Sequence, residues 1–209
     1  MRKSILTTLT TAALLSSPSS IIAQDNLYPP PPPAGAASVR VVDVRAKPSK
    51  VPVKVGEKAL NTSAEPTRFT YVDQGDKQVS SPGFSASRKI VAGQFYTLMV
   101  GNRTSVLYHE QKPPLTQALV VLYNLSLLPD VSLKTDDGTT TVIEPQKPFQ
   151  VASQPVNPLK AGFSVYQGDT KIGDVPAAQL QRGASFGIFV MSSGSTPRVV
   201  TAPGPSLSR

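Results

Sequence analysis

The chain has no cysteine, no tryptophan and a single histidine, and aromatic residues make up only 6% of its 209 positions. Without cysteine it has no disulfide, no thiolate nucleophile, no thiolate metal ligand and no attachment point for a lipid behind a leader. One histidine among scattered carboxylates offers none of the spacings that hold zinc. No metal and no cofactor is expected. The shortage of aromatics leaves any core to valine, isoleucine and leucine. No apolar run approaches the roughly 20 residues that a membrane-crossing helix needs. Helical periodicity is equally scarce. Apolar residues alternate or form short runs instead of recurring at i, i+3 and i+4, and 21 scattered prolines would interrupt most helices.

What is present begins with Met1-Arg2-Lys3, an apolar stretch from Ile5 to Leu15, a polar segment, and Ile21-Ile22-Ala23-Gln24. Positive charge, a short apolar stretch and a small residue before a polar one predict a secretory signal peptide over residues 1–23, and hence export. Residues 24–35 form a Pro-rich spacer, stiff and extending about 3 Å per residue. Lys112-Pro113-Pro114 divides the remainder into a domain over 36–111 and a second over 115–202. Residues 203–209 are expected to be a disordered Pro/Ser tail.

The two halves resemble each other. Ser38 to Val44 has the texture of a buried strand, and Ala118 to Asn124 repeats it 80 residues on. Val51-Pro52-Val53-Lys54-Val55 alternates apolar with polar, as does Val131-Ser132-Leu133-Lys134. Gln94 to Val100, a turn, and Val106 to Tyr108 read as a hairpin. Ala184 to Val190, a turn, and Arg198 to Val200 repeat that plan 90 residues later. Asp136-Asp137-Gly138 and Gln167-Gly168-Asp169 are further hairpin turns. The expected fold is all-β: two tandem antiparallel, Ig-like β-sandwich domains of about seven strands each.

Charge is uneven. Residues 36–111 hold 11 basic against 6 acidic side chains, whereas residues 115–202 hold 6 of each. Arg40, Arg45, Lys47, Lys50, Lys54 and Lys58 fall in one predicted hairpin, against only Asp43 and Glu57. Such a patch favours an anionic partner: an acidic polysaccharide, lipid heads or an acidic protein surface. The plainer alternative is a solvated face that keeps the chain soluble. Nucleic acid is a poor fit, because the chain is exported and its basic residues lack interleaved aromatics.

No catalytic residue is expected. His109 reads as a solvated side chain at a strand end, and no Gly-x-Ser-x-Gly nucleophile elbow is expected. Asp136-Asp137 and Asp73/Asp76 fall in turns rather than facing each other across a groove. The sequons at Asn61, Asn102 and Asn124 read as accidental.

Leu27-Tyr28-Pro29, Ala34-Gly35-Ala36-Ala37-Ser38-Val39-Arg40-Val41, and Ile90-Val91-Ala92-Gly93-Gln94-Phe95-Tyr96-Thr97-Leu98, set in two cysteine-free β-domains, resemble the AlgF family of alginate biosynthesis proteins. The resemblance implies a periplasmic, non-enzymatic accessory protein for O-acetylation of an exopolysaccharide, alginate or an acetylated cellulose. Its implied partners are the other subunits of an O-acetyltransferase complex at the inner membrane. The resemblance brings no catalytic residues with it. The competing expectation is a polysaccharide-binding module using the basic face of the first domain.

Overall fold

The computed structural model describes residues 33–45, 52–63, 65–193 and 196–207. The expected signal peptide, most of the spacer, Lys47 and Lys50 lie outside the described residues, which form strands and no helix. The first half contains β1 (Ala36–Asp43), β2 (Val53–Val55), β3 (Lys58–Leu60), β4 (Thr70–Asp73), β5 (Gly75–Ser81), β6 (Phe84–Ile90), β7 (Phe95–Val100) and β8 (Ser105–His109). The second contains β9 (Ala118–Leu125), β10 (Val131–Thr135), β11 (Thr141–Gln146), β12 (Val151–Val156), β13 (Lys160–Gln167), β14 (Thr170–Gln179), β15 (Ala184–Ser193) and β16 (Thr196–Ser206).

Each half is a sandwich of two four-stranded sheets. The orders are β4-β1-β7-β8 and β3-β2-β5-β6 in the first, and β12-β9-β15-β16 and β11-β10-β13-β14 in the second. Strand for strand the connectivity is the same, so the duplication read from the sequence is one of topology. Both copies share a departure from pure antiparallel pairing: β1 runs parallel to β7, and β9 parallel to β15. Eight strands per half replace the seven or so expected.

The register refines the repeat. Ala37, Val39 and Val41 face the first core, while Ala118, Val120 and Leu122 face the second. The matching residues are therefore 81 apart at this strand (Ala37 to Ala118), not 80. Side chains alternate between faces, so one residue of offset exchanges core for outer surface.

Local sequence explains the turns. β10 and β11 pair around Asp136-Asp137-Gly138, where Gly138 has φ 73°. A side chain there would also place its Cβ 2.5 Å from the Tyr166 hydroxyl. β13 and β14 pair around Gly168, and β7 and β8 around Gly101 to Thr104. One expected hairpin does not form. β1 lies between β4 and β7, whereas β2 pairs with β3 and β5 in the opposite sheet. The chain after β1 crosses the sandwich because residues on both faces of β1 are buried, leaving it no solvent face to share with a basic ribbon.

Both faces of β1 and β9 are buried because a third apolar layer lies between the domains. Val42 and Met99 from the first half pack with Leu119, Val121, Tyr123, Leu125, Phe189 and Met191 from the second. The inner sheet of one sandwich thus lies face to face with the inner sheet of the other. The Lys112-Pro113-Pro114 segment joins two bodies that are already packed.

The expected disordered tail is also corrected. Residues 203–206 continue β16, with Ala184 opposite Ser206, and the Leu207 N–H donates to the Gly183 carbonyl at 2.7 Å. Gly204 fits tightly here, since a Cβ would lie 2.6 Å from that of Ser185.

Candidate functional site

Of the six basic residues expected to form one surface, four are described, Arg40, Arg45, Lys54 and Lys58, and these do not share one face. Arg40, central in β1, is buried and belongs to the interior. Its neighbours Val39 and Val41 face the first core, so alternation turns Arg40 toward the second domain. Arg45 is tied back to Asp43 by a bidentate contact, Nε to Oδ1 at 2.8 Å and Nη2 to Oδ2 at 2.5 Å. Lys54 and Lys58 are exposed, but Lys58 shares its surface hollow with Glu57, Asp73, Asp76 and Lys77. Among the described residues, the patch is divided between an interior ion pair, a neutralised pair and a surface of mixed sign.

Arg40 organises a buried polar cluster at the domain boundary. Its Nε donates to Thr97 Oγ1 (2.7 Å), Nη1 to the Pro203 carbonyl (2.9 Å), and Nη2 to Glu110 Oε1 (2.9 Å) and Tyr123 Oη (3.0 Å). The Tyr123 hydroxyl donates to Glu110 Oε2 at 2.5 Å, and the Thr97 hydroxyl donates to Glu110 Oε1. The guanidinium lies 4.8 Å from the Phe69 ring centroid and 4.9 Å from that of Phe189, which stacks on Tyr123 at 4.2 Å. Arg40, Glu110 and Thr97 come from the first domain; Tyr123, Phe189 and Pro203 come from the second.

Burial, the largest influence, works against the charge on Arg40, but Glu110 and then Tyr123 outweigh it and the net shift is upward. The Tyr123 phenol is pushed well above its ordinary value, first by burial and next by the Glu110 charge. Tyr108 moves the same way for the same two reasons. Every polar atom in the cluster is directed at another member. The arrangement fixes orientation between the domains and presents no group to a substrate.

His109 lies exposed at the end of β8, its Nε2 2.9 Å from Gln94 Oε1 and its ring beside Tyr96. Gly183-Ala184-Ser185-Phe186-Gly187 does have the Gly-x-Ser-x-Gly spacing of a nucleophile elbow. It enters strand β15 instead of turning into a helix, however, and Ser185 is buried with its hydroxyl unpaired. The structural context that would activate such a serine is missing. No group of three or more His, Asp or Glu side chains that could hold a metal is found among the described residues.

An apolar groove that nothing in the sequence pattern announces lies where the interdomain core opens to solvent. Its cavity is about 420 Å³. Met99, Val106 and Tyr108 line it from the first domain, and Leu125, Phe149 and Val151 from the second. Phe149 is 57% exposed and Val106 54%. Phe149 also has φ 60°, in the left-handed region that bulky residues rarely occupy. It follows Pro148 in a turn closed by Gln150 N–H to Lys147 C=O at 3.2 Å, the pattern of a type II turn. That third position ordinarily takes glycine or asparagine.

Asn124 holds the turn in place. Its buried side-chain amide donates to the carbonyls of Leu128 (2.8 Å), Gln146 (3.2 Å) and Lys147 (3.1 Å), and its Oδ1 accepts from Ser126. This burial also makes the sequon at Asn124 inaccessible in the folded chain.

The chain is similar to known proteins over most of its length. A family model described as "Alginate O-acetyl transferase AlgF" matches residues 11–186. The chain is 32% identical over 176 residues to the alginate biosynthesis protein AlgF of Pseudomonas putida, covering 81% of this chain and 80% of that one. It is 30% identical to the protein of the same name in Pseudomonas syringae pv. tomato, covering 84% and 79% respectively. A solved structure of the C-terminal domain of AlgF from P. aeruginosa matches at 30% identity and a TM-score of 0.38, covering 43% of this chain and 99% of that one. The family model is described as a transferase, whereas the relatives are named only as biosynthesis proteins. The chain belongs to the AlgF family.

Proposed function

We propose that the protein is a non-catalytic adaptor for O-acetylation of a secreted polysaccharide, alginate in the first instance, and that it works in the periplasm. It holds subunits of the acetylation machinery next to one another while they move and transfer the acetyl group. The observation that supports this reading is the interdomain core. It joins two β-sandwiches into one body whose central charged cluster is spent on internal contacts, while an apolar groove spanning both domains stays open. A rigid two-domain body can engage two partners at a fixed separation, which raises their effective concentration without new chemistry.

The alternative, a polysaccharide-binding face on the first domain, loses two of its six residues, Arg40 to the interior and Arg45 to its pairing with Asp43. The test is a clean deletion in a polymer-secreting strain, with acetyl esters counted on the secreted polymer. Polymer without acetyl groups, restored by the intact gene, is expected. Fully acetylated polymer from the deletion strain would refute the adaptor role.

A further inference from the structure

We infer that the apolar groove between the domains is the docking site for a partner protein, and that the element it accepts is an apolar side chain on an acidic segment. The inference rests on the adaptor reading and assigns it a surface.

Three features point to this occupant. The groove is the open end of an existing interface: Val44, Met99, Tyr108, Leu125 and Val151 line it and also belong to, or pack against, the interdomain core. An inserted apolar side chain would extend that core and touch both domains at once. Next is Phe149. A type II turn that took glycine or asparagine at this position would be free of strain. The chain instead keeps an exposed aromatic ring in a left-handed conformation, clamped by Asn124 through the Lys147 carbonyl. Strain kept at an exposed aromatic is the pattern of a binding residue, and aromatics dominate the energetic centres of protein interfaces.

The third feature is charge. The two turns that supply lining residues on either side of the groove carry the exposed Arg103 and Lys147, while Arg45 in its wall is already paired with Asp43. Carboxylates on the incoming segment would pair with Arg103 and Lys147 on these turns while the apolar side chain enters the groove.

The experiment places the photo-crosslinker p-benzoylphenylalanine at position 149, at 106, and at the control position 115 in the interdomain link, where Leu115 is 75% exposed. The full-length variants are expressed in the polymer-secreting strain and adducts are identified by mass spectrometry. Adducts from 149 and 106 to one and the same subunit of the acetylation machinery are expected. The yield from 149 should fall about tenfold or more with Val106→Glu, and the yield from both positions with Arg103→Glu combined with Lys147→Glu. Phe149→Asn should lower polymer acetylation while the purified protein melts no earlier than the parent, because asparagine tolerates the left-handed turn. Adducts from 115 but not from 149 or 106 would overturn the groove and leave the adaptor role standing. Adducts from 149 to a second copy of this chain, or full acetylation with Phe149→Asn, would overturn the groove as well. The adaptor role fails separately, in the deletion strain.

Discussion

Replacing Arg40 by methionine keeps most of the volume of the side chain and removes its charge. The loss comprises four hydrogen bonds, to Thr97, Pro203, Glu110 and Tyr123, and the contact with the faces of Phe69 and Phe189. What remains is the Glu110 carboxylate, 2% exposed and held only by neutral hydroxyls. Removing one partner of a buried ion pair costs about 3–5 kcal/mol, because the surviving charge is left without compensation. That is a large share of the roughly 5–15 kcal/mol that holds a domain folded. For a chain of this size it corresponds to a fall in melting temperature of about 10 °C. Equilibrium urea denaturation followed by tyrosine fluorescence measures the cost. Adding Glu110→Gln to Arg40→Met removes the orphan charge, so the double variant should recover about 1 kcal/mol or more relative to the sum of the singles. If Arg40→Met costs less than about 1 kcal/mol, or the two changes add, the cluster does not hold the domains together.

Asn124→Ala leaves three backbone carbonyls without their donor and should cost about 2–3 kcal/mol, read as a lower urea midpoint. Gly83→Ala should cost on the order of 1 kcal/mol or more: its φ is 97°, and the added Cβ would meet the Asn102 carbonyl oxygen at 2.8 Å. Alkaline pH should destabilise the protein through Tyr123. A phenol whose folded pKa is raised contributes stability below the unfolded value, near 10, and that contribution is lost as pH climbs above it. Stability measured from pH 8 to 11 should therefore fall beyond about 10, and Tyr123→Phe should flatten that fall. Lys171→Met should raise the depressed Asp174 carboxyl, whose exposed partner it removes, with a negligible change in stability; a carboxyl NMR titration measures it.

The strands were legible wherever their signal was local. The buried runs at Ser38 and Ala118, the alternation at Val53 and Val131, and the Asp-Gly turn at Gly138 each reveal their state within a few residues. Arg40 misled because a cation in a strand ordinarily faces water, and the carboxylate that permits its burial lies 70 residues away. One available signal was the valines on both sides of it: a strand apolar at Val39, Val41 and Val42 has two buried faces, so Arg40 had to point into an interior. Residues 203–206 read as tail because proline, glycine and serine mark disorder when nothing pairs with them. Here the Arg40 guanidinium and the Gly183 carbonyl supply partners that only the folded chain provides. Phe149 could not be found at all, since a left-handed residue announces itself in sequence only when it is glycine or asparagine.

The proposed adaptor role requires that the fold itself move no acetyl group. The direct test is to incubate the purified full chain with an activated acetyl ester and mannuronate oligomers, counting acetyl esters on the sugar by proton NMR. No transfer above the rate without protein is expected. Sugar acetylation that grows with protein concentration, and is lost with Ser185→Ala or His109→Ala, would contradict it.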